Sequence, residues 1–108
     1  MAKLETIRAK MLRRRCLAVL RAAQQACGDG WTSARACFSY LRGEFDGLAL
    51  AEVEGALRYL AGKAYAEIRQ VSESKFVRGE FQARITPHGQ DVLDETIPPD
   101  PGIEDNRV

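Results

Sequence analysis

The sequence has few of the residues from which metal centres are built. It contains one histidine, His88, and three cysteines, Cys16, Cys27 and Cys37, which lie ten or more positions apart. A structural zinc site takes four ligands, two of them typically close together in the chain, so this spacing argues against one. Free, buried thiols in a reducing compartment are the simpler interpretation of the cysteines. We therefore expect no metal ion and no other cofactor.

Catalytic and nucleotide-binding motifs are also missing. His88 lies in Thr86-Pro87-His88-Gly89, where no nucleophile or acid accompanies it in a local motif. A surface position in the first turn of a helix explains this histidine more simply. Gly28-Asp29-Gly30 lacks the other residues of either glycine-rich nucleotide fingerprint. The sequence therefore does not predict an enzyme.

No stretch of the chain is suited to crossing a membrane. Met1-Ala2-Lys3 leads into charged residues instead of an apolar run, so we expect no signal peptide. No apolar run approaches the ~20 residues that a membrane-spanning helix needs. The length of 108 residues suits one domain. A cytoplasmic protein with no membrane partner is the expectation.

Charge of one sign is not in excess, but it is unevenly distributed. With 16 Lys and Arg against 15 Asp and Glu, the net charge of +1 does not suit a protein that simply coats nucleic acid. The start of the chain is basic, with Lys3, Arg8, Lys10, Arg13, Arg14, Arg15 and Arg21 against Glu5. The end is acidic, with Asp91, Asp94, Glu95, Asp100, Glu104 and Asp105 against Arg107.

A first helix is predicted from Lys3 to about Ala26, because good helix formers dominate and neither Gly nor Pro interrupts them. Its apolar residues fall on two faces about 130° apart. One face carries Leu4, Ile7 and Met11, and the other carries Leu12, Cys16, Val19, Leu20 and Ala23. A small core can take only one face, so the second should be buried. The first is then a separate turn, a contact with a partner subunit, or a frayed terminus with stray apolar residues.

Two further helices are predicted in the middle of the chain. Glycines at 28 and 30 end the first helix, and Thr32 or Ser33 can cap a second helix that runs to about Arg42. A third helix starts near Ala51 and ends at about Leu60. Its predicted buried stripe is Val53, Ala56, Leu57 and Leu60, and its outward positions are Ala51, Glu52, Glu54, Gly55 and Arg58.

The second half of the chain is predicted to contain a hairpin and a closing helix. Period-two alternation indicates strands at Tyr65–Val71 and Glu80–Ile85, joined by a loop over residues 72–79. Thr86 caps the closing helix, and Pro87 suits its first position, where the missing N–H is no loss. The inward contacts of this helix are Val92 and Leu93.

We expect three segments: an N-terminal helical extension over residues 1–11, a domain over residues 12–95, and an acidic, proline-containing tail over residues 96–108. The tail cannot be helical around its prolines. It should be extended and mobile, or lie across a neighbouring molecule through Ile97 and Ile103.

The order of three helices, a hairpin and a closing helix is that of the winged helix-turn-helix fold, an α+β fold with a two- to three-stranded wing sheet. Leu57-Arg58-Tyr59-Leu60 followed by Ala64-Tyr65-Ala66-Glu67-Ile68 resembles the family's Leu-x-x-Leu-x-x-x-Gly-Leu-Val pattern. Thr86-Pro87-His88-Gly89 resembles its Thr-x-x-Gly. From about Arg13 to Ile103 the chain resembles small winged-helix proteins of Mu-like phages and prophages.

Some positions depart from the family pattern. Ala64 stands where glycine is preferred, and Ala49 stands where a capping serine is usual. The cysteine pair of arsenic-type metal-sensing repressors is absent from Ala51–Leu60, so metal sensing is not carried over.

The resemblance implies double-stranded DNA as the partner, in transcription regulation or DNA handling within a bacterial host. Under this hypothesis the apolar face of Leu4, Ile7 and Met11 makes the chain a homodimer through the N-terminal helix. Side chains suited to base edges or phosphates are Ser33, Arg35, Arg42, Arg58, Lys63, Lys75 and Arg78. The arginines of the first helix add to this case, whereas Glu52 and Glu54 oppose it. The alternative is a module for protein–protein contact in a phage assembly or packaging complex.

The predicted stripe of the third helix can be tested by truncating its central leucine. Leu57→Ala should lower the free energy of unfolding by roughly 2–5 kcal/mol, because a cavity would replace a core side chain. Thermal or denaturant unfolding measures the loss. An unchanged melting temperature would show that Leu57 is not in the core.

Overall fold

The structure, a computed structural model, describes residues 2–70 and 80–105, without the side chains of residues 2–5 and of Cys27. Over these residues the fold is α+β, as predicted, with four helices and one three-stranded antiparallel sheet. The helices are α1 (Ala2–Cys27), α2 (Ala34–Leu41), α3 (Leu50–Gly62) and α4 (Pro87–Asp94). The strands are β1 (Thr32–Ser33), β2 (Ala66–Gln70) and β3 (Phe81–Ile85).

The first helix is continuous from Ala2 to Cys27, so the apolar residues at its start do not form a separate turn. The face predicted to be buried contacts the core through Leu12, Cys16 and Leu20, together with Leu17, which the prediction omitted. The other face is solvent-exposed, with 53% of Ile7 and 39% of Met11 accessible. The predicted contact residue Leu4 lies outside the described side chains.

The predicted cap of α2 and the predicted buried stripe of α3 are observed. The Ser33 hydroxyl oxygen accepts a hydrogen bond from the Ala36 N–H at 3.1 Å and begins α2. In α3 the four predicted core residues are the buried ones. Ala49 has no side chain to cap α3, but the Glu52 carboxylate accepts a hydrogen bond from the Ala49 N–H at 3.1 Å. A backbone N–H group at the start of α3 that has no partner within the helix thereby gains an acceptor.

The sheet has the order β1-β3-β2, with β3 in the centre. In the β2–β3 hairpin, Ala66 pairs with Ile85 and Gln70 pairs with Phe81. The inward residues of β3 are all buried, as the alternation predicts. The first strand was not predicted, because two residues are too short to show alternation; its Thr32 pairs with Ala83.

The closing helix also follows the prediction. The Thr86 hydroxyl oxygen accepts a hydrogen bond from the Gly89 N–H at 3.1 Å, and Pro87 occupies the first position. Val92 and Leu93 are buried. A side chain on Gly89 would collide with the carbonyl oxygen of Tyr65, so only glycine lets the start of α4 lie this close to the residue before β2.

The expectation of a mobile tail, or of one lying across a neighbour, is wrong for residues 96–105. Ile103 is 4% exposed and Asp100 is 8% exposed, both within their own chain. The Glu104 N–H donates to the Lys10 carbonyl at 3.2 Å, and an Arg13 N–H donates to the Gly102 carbonyl at 2.9 Å. The basic start and the acidic end of the chain therefore meet in space.

Ala64 adopts a left-handed backbone conformation with φ of 63° at the turn from α3 to β2. This conformation costs a residue with a Cβ roughly 1–2 kcal/mol. A glycine at this position would avoid this cost.

Ala64→Gly should raise the free energy of unfolding by about 0.5–1 kcal/mol, because the relieved strain exceeds the added entropy of the unfolded chain. The control is Ala61→Gly inside α3, which should lower it by about 0.5–1 kcal/mol. Both are measured by denaturant unfolding. Destabilisation by Ala64→Gly of the same size as the control would contradict the left-handed turn.

Candidate nucleic-acid interface

The predicted contact residues of α2 lie on its solvent side. Arg35 and Arg42 are exposed and seven positions apart, which places them on one face about 10.5 Å apart along the axis. Between them, Ser39 is also exposed. Ser33, in contrast, is half-buried, and its hydroxyl oxygen is used by the helix cap.

Two further predicted contacts lie on and just after α3. Arg58 is exposed, and its guanidinium carbon lies 4.5 Å from the centre of the Phe81 ring. Lys63 is exposed at the C-terminal end of α3, with its ammonium 5.8 Å from the Tyr59 ring centre. The structure thus has two exposed cations there, each within cation–π distance of an aromatic ring. The predicted contacts Lys75 and Arg78 lie outside the described residues.

The solvent face of α3 is made mainly of small residues. Ala51, Gly55, Arg58 and Gly62 are spaced by four, three and four positions, and all are exposed. A Cβ added at Gly55 would meet no atom within 4 Å. Along this face another molecule can approach the helix backbone closely, with Arg58 as the one long side chain.

One of the two carboxylates that were expected to oppose DNA does not face outward. Glu52 lies on the α1 side of α3, where its oxygens accept hydrogen bonds from Arg8 at 2.9 and 3.2 Å. The hydrogen bond from Arg8 lowers the pKa of Glu52. Its charge is therefore paired within the fold, which leaves the half-buried Glu54 as the acidic side chain beside the exposed face.

The arginines of α1 do not form an open basic surface, so this cluster does not support DNA binding as the sequence suggests. Each of five guanidiniums binds an acceptor far along the chain. These pairs are Arg8 with Glu52 (2.9 Å), Arg13 with the Gly102 carbonyl (2.9 Å), Arg14 with the Glu104 carbonyl (3.3 Å), Arg15 with Glu44 (2.7 Å) and Arg21 with Asp94 (2.6 Å). A contact with phosphate would have to compete with these partners.

A cation–aromatic cluster on the outer face of the sheet was not predicted. The guanidinium carbons of Arg69 and Arg84 lie 4.4 and 4.6 Å from the Trp31 ring centre. Arg84 also binds Glu67 at 2.9 Å, and Arg69 donates to Gln82 at 2.8 Å. The outward phase of the strand alternation contains both arginines, but nothing in the sequence places Trp31 between them.

The tail is anchored by a buried carboxylate, which sequence reasoning also missed. Asp100 accepts hydrogen bonds from the hydroxyls of Tyr59 at 2.8 Å and Tyr65 at 2.7 Å, and from the Gly102 N–H at 2.7 Å. Burial acts to raise the pKa of Asp100, but these hydrogen bonds outweigh it and the pKa is lowered. Burial, and then the bond to Asp100, raise the pKa of Tyr65 to about 12.

The two described cysteine side chains suit the interpretation of inert thiols. Cys16 and Cys37 are free and buried, and burial raises the pKa of both, that of Cys37 to about 12. Thiolates, the reactive and metal-binding form, are therefore disfavoured at both positions. Among the residues that the structure describes, no group of three or more His, Cys, Asp or Glu could hold a metal ion, and no helix is long and apolar enough to span a membrane.

Comparison with known proteins adds no relative. No family model matches the chain, and neither a curated protein nor a solved structure matches it significantly.

Asp100→Asn should destabilise the protein by roughly 1–3 kcal/mol, because it removes the charge of the acceptor that binds Tyr59, Tyr65 and the Gly102 N–H. The pKa of Asp100 is lower in the folded state, so its contribution is complete above its ordinary pKa and is lost as the pH falls through the lowered one. The deficit of the variant should therefore be full at neutral pH and shrink in strong acid. Denaturant unfolding across pH measures it.

The control is Glu54→Gln, which neutralises a carboxylate for which the described residues show no hydrogen bond, and which should change stability by less than about 0.5 kcal/mol. Ultraviolet titration adds a second readout, since the pKa of Tyr65 should fall towards its ordinary value in Asp100→Asn. A variant as stable as the parent at neutral pH, with Tyr65 unchanged, would contradict the anchor.

Proposed function

We propose that this chain is a winged helix-turn-helix protein of phage or prophage type that binds double-stranded DNA, in transcription regulation or DNA handling. The order of the elements, the three-stranded sheet and the capped closing helix support this fold assignment. One observation carries the functional proposal: the cations divide into two groups. The arginines of α1 have partners within the fold, whereas Arg35, Arg42, Arg58 and Lys63 have no carboxylate within ion-pair distance among the described residues.

The proposed docking places the exposed face of α3 in the major groove. A groove about 12 Å wide admits a helix, and small residues at positions 51, 55 and 62 let the backbone approach the base edges. Arg58 is the side chain on this face that can donate two hydrogen bonds to guanine. Its contact with Phe81 restrains the guanidinium, so less side-chain entropy is lost on binding.

The remaining cations would bind the DNA backbone. Arg35 and Arg42 project from one face of α2 and can each neutralise a phosphate, while Lys63 adds a third contact after α3. Such contacts set affinity and orientation without reading sequence. This division of roles between Arg58 and the flanking cations can be tested separately for each group.

The first test uses a random-sequence duplex and fluorescence anisotropy at several salt concentrations. The parent should bind, and the log of its affinity should fall with the log of the salt concentration by about 0.9 per neutralised phosphate. Arg35→Ala with Arg42→Ala should weaken binding to all duplexes and reduce this slope by about 1.8. Lys75→Ala with Arg78→Ala should also weaken binding to all duplexes about equally.

Arg21→Ala is the matched control, because it removes an arginine that is already paired with Asp94. It should leave both affinity and salt slope unchanged. If Arg21→Ala weakens binding and the α2 double variant does not, the DNA lies on α1 and the proposed docking is wrong.

Arg58→Ala should reduce discrimination between a selected site and random duplex, by about 1–3 kcal/mol for one lost bidentate contact. Selection of sites from a random library, followed by anisotropy with both duplexes, measures the ratio. Equal discrimination by parent and variant would remove Arg58 as the reader. An absence of any binding at low salt would contradict the DNA proposal as a whole.

A protein-contact module is the second candidate function. The observation that favours it is the exposure of three large hydrophobic residues in the described part of the chain, Ile7 at 53%, Met11 at 39% and Tyr40 at 73%. Under this candidate the partner belongs to a phage assembly or packaging complex. If the folded protein does not bind DNA, the protein-contact module becomes the favoured hypothesis.

A further inference from the structure

The three large hydrophobic residues that are exposed in the described part of the chain lie on α1 or beside it. Ile7 and Met11 project from the N-terminal half of α1. Tyr40 borders a groove that runs along the C-terminal half of the same helix. Exposed apolar surface that is concentrated in this way indicates an interaction site more than scattered single residues do.

The groove lies between α1 and the segment from Trp31 through α2. Its volume is about 670 Å³, and small side chains form the α1 wall at positions 18, 22, 23 and 26. Ala18, Ala22 and Ala26 follow each other at intervals of four residues, so they line one side of the helix. The side chains of Trp31 and Tyr40 line the opposite wall. Bulky apolar side chains from outside would fill it.

The large and small residues of α1 are arranged symmetrically about one point. Ile7 and Ala22 share a midpoint with Met11 and Ala18, and this midpoint falls between Arg14 and Arg15. At about 100° per residue, these four residues lie on one side of the helix. The point midway between residues 14 and 15 lies in the middle of that side. A two-fold axis through this point would therefore place each large residue against a small one on an antiparallel copy of α1.

Charge near the axis does not oppose such a pair. Arg14 of each protomer would approach Arg15 of the other, but Arg15 is bound to Glu44 at 2.7 Å and Arg14 lies 3.6 Å from Glu95. Each guanidinium thus brings a carboxylate with it. Two copies would therefore meet as ion pairs and not as four unpaired cations, which would repel each other.

We propose that a second copy of this chain covers the groove, with the two α1 helices antiparallel. Met11 of each protomer packs against the partner's Ala18, and Ile7 packs against the partner's Ala22, under the rim formed by Tyr40. A second copy is the occupant because the same surface supplies both the projecting residues and the groove that receives them, which is the self-complementarity of a two-fold interface. The inference does not rest on DNA binding.

Solution mass tests the association. Light scattering after size exclusion should give twice the chain mass of 12.0 kDa for the parent. Ala18→Glu should halve this mass, because it puts a carboxylate where Met11 of the partner packs. The control Ala51→Glu, which adds the same charge to the exposed face of α3, should remain a dimer. Thermal unfolding of each variant shows whether it is folded.

Disulfide trapping tests the register. In a Cys27→Ser background, a mixture of Met11→Cys and Ala18→Cys proteins should form a disulfide between the two chains on mild oxidation. A mixture of Met11→Cys and Gln25→Cys should not, because seven residues shift the second thiol by about 10.5 Å. Met11→Cys alone should not form a disulfide either, since the two copies of position 11 would lie about 10.5 Å apart along the axis.

The outcomes separate the alternatives. A parent that stays monomeric at high micromolar concentration overturns the proposal, and so does an Ala18→Glu variant that remains a dimer. A disulfide from Met11→Cys alone shows a parallel arrangement, which overturns the antiparallel register. A dimer that is trapped through positions 11 and 18 supports the proposal whether or not the protein binds DNA.

Discussion

The structure depends on the hydrogen bonds and ion pairs that the arginines of α1 form with the rest of the chain. Arginine N–H groups on this helix donate to carboxylates of the α2–α3 loop, of α3 and of α4, and to carbonyls of the tail. Exposed ion pairs contribute little singly, commonly less than about 1 kcal/mol. Here they accompany a buried apolar stripe on the same helix, so packing stabilises α1 while the pairs fix its orientation against each neighbour.

Sequence periodicity was sufficient to predict the core residues of α3 and β3, but it could not predict the contacts between distant segments. The four core residues of α3 and the inward residues of β3 follow directly from the 3.6- and two-residue repeats of their elements. The contacts of Asp100 follow no repeat, since its partners Tyr59 and Tyr65 lie 41 and 35 positions away. A proline-containing, acidic segment has the composition of a free tail, and only the tertiary fold shows which of its groups are accommodated.

The same difficulty limits what could be predicted of the candidate site. Residue type alone selected Arg35, Arg42, Arg58 and Lys63, which are exposed, but it also gave weight to the arginines of α1, which are paired. Whether a cation is available depends on the acceptors that the fold brings to it. Glu52 shows the converse case: a residue on a polar helix position was expected to repel DNA, and it instead completes a helix cap and an ion pair.

The contact between the tail and α1 has a consequence for how the protein folds. It joins residues 89 and 90 positions apart, Arg13 to Gly102 and Arg14 to Glu104. Helical proteins dominated by local contacts fold quickly, whereas contacts across most of a chain require the closure of long loops. Arg13 and Arg14 therefore gain their tail partners only when a loop that spans most of the chain has closed, whereas the helical hydrogen bonds of α1 need no such closure.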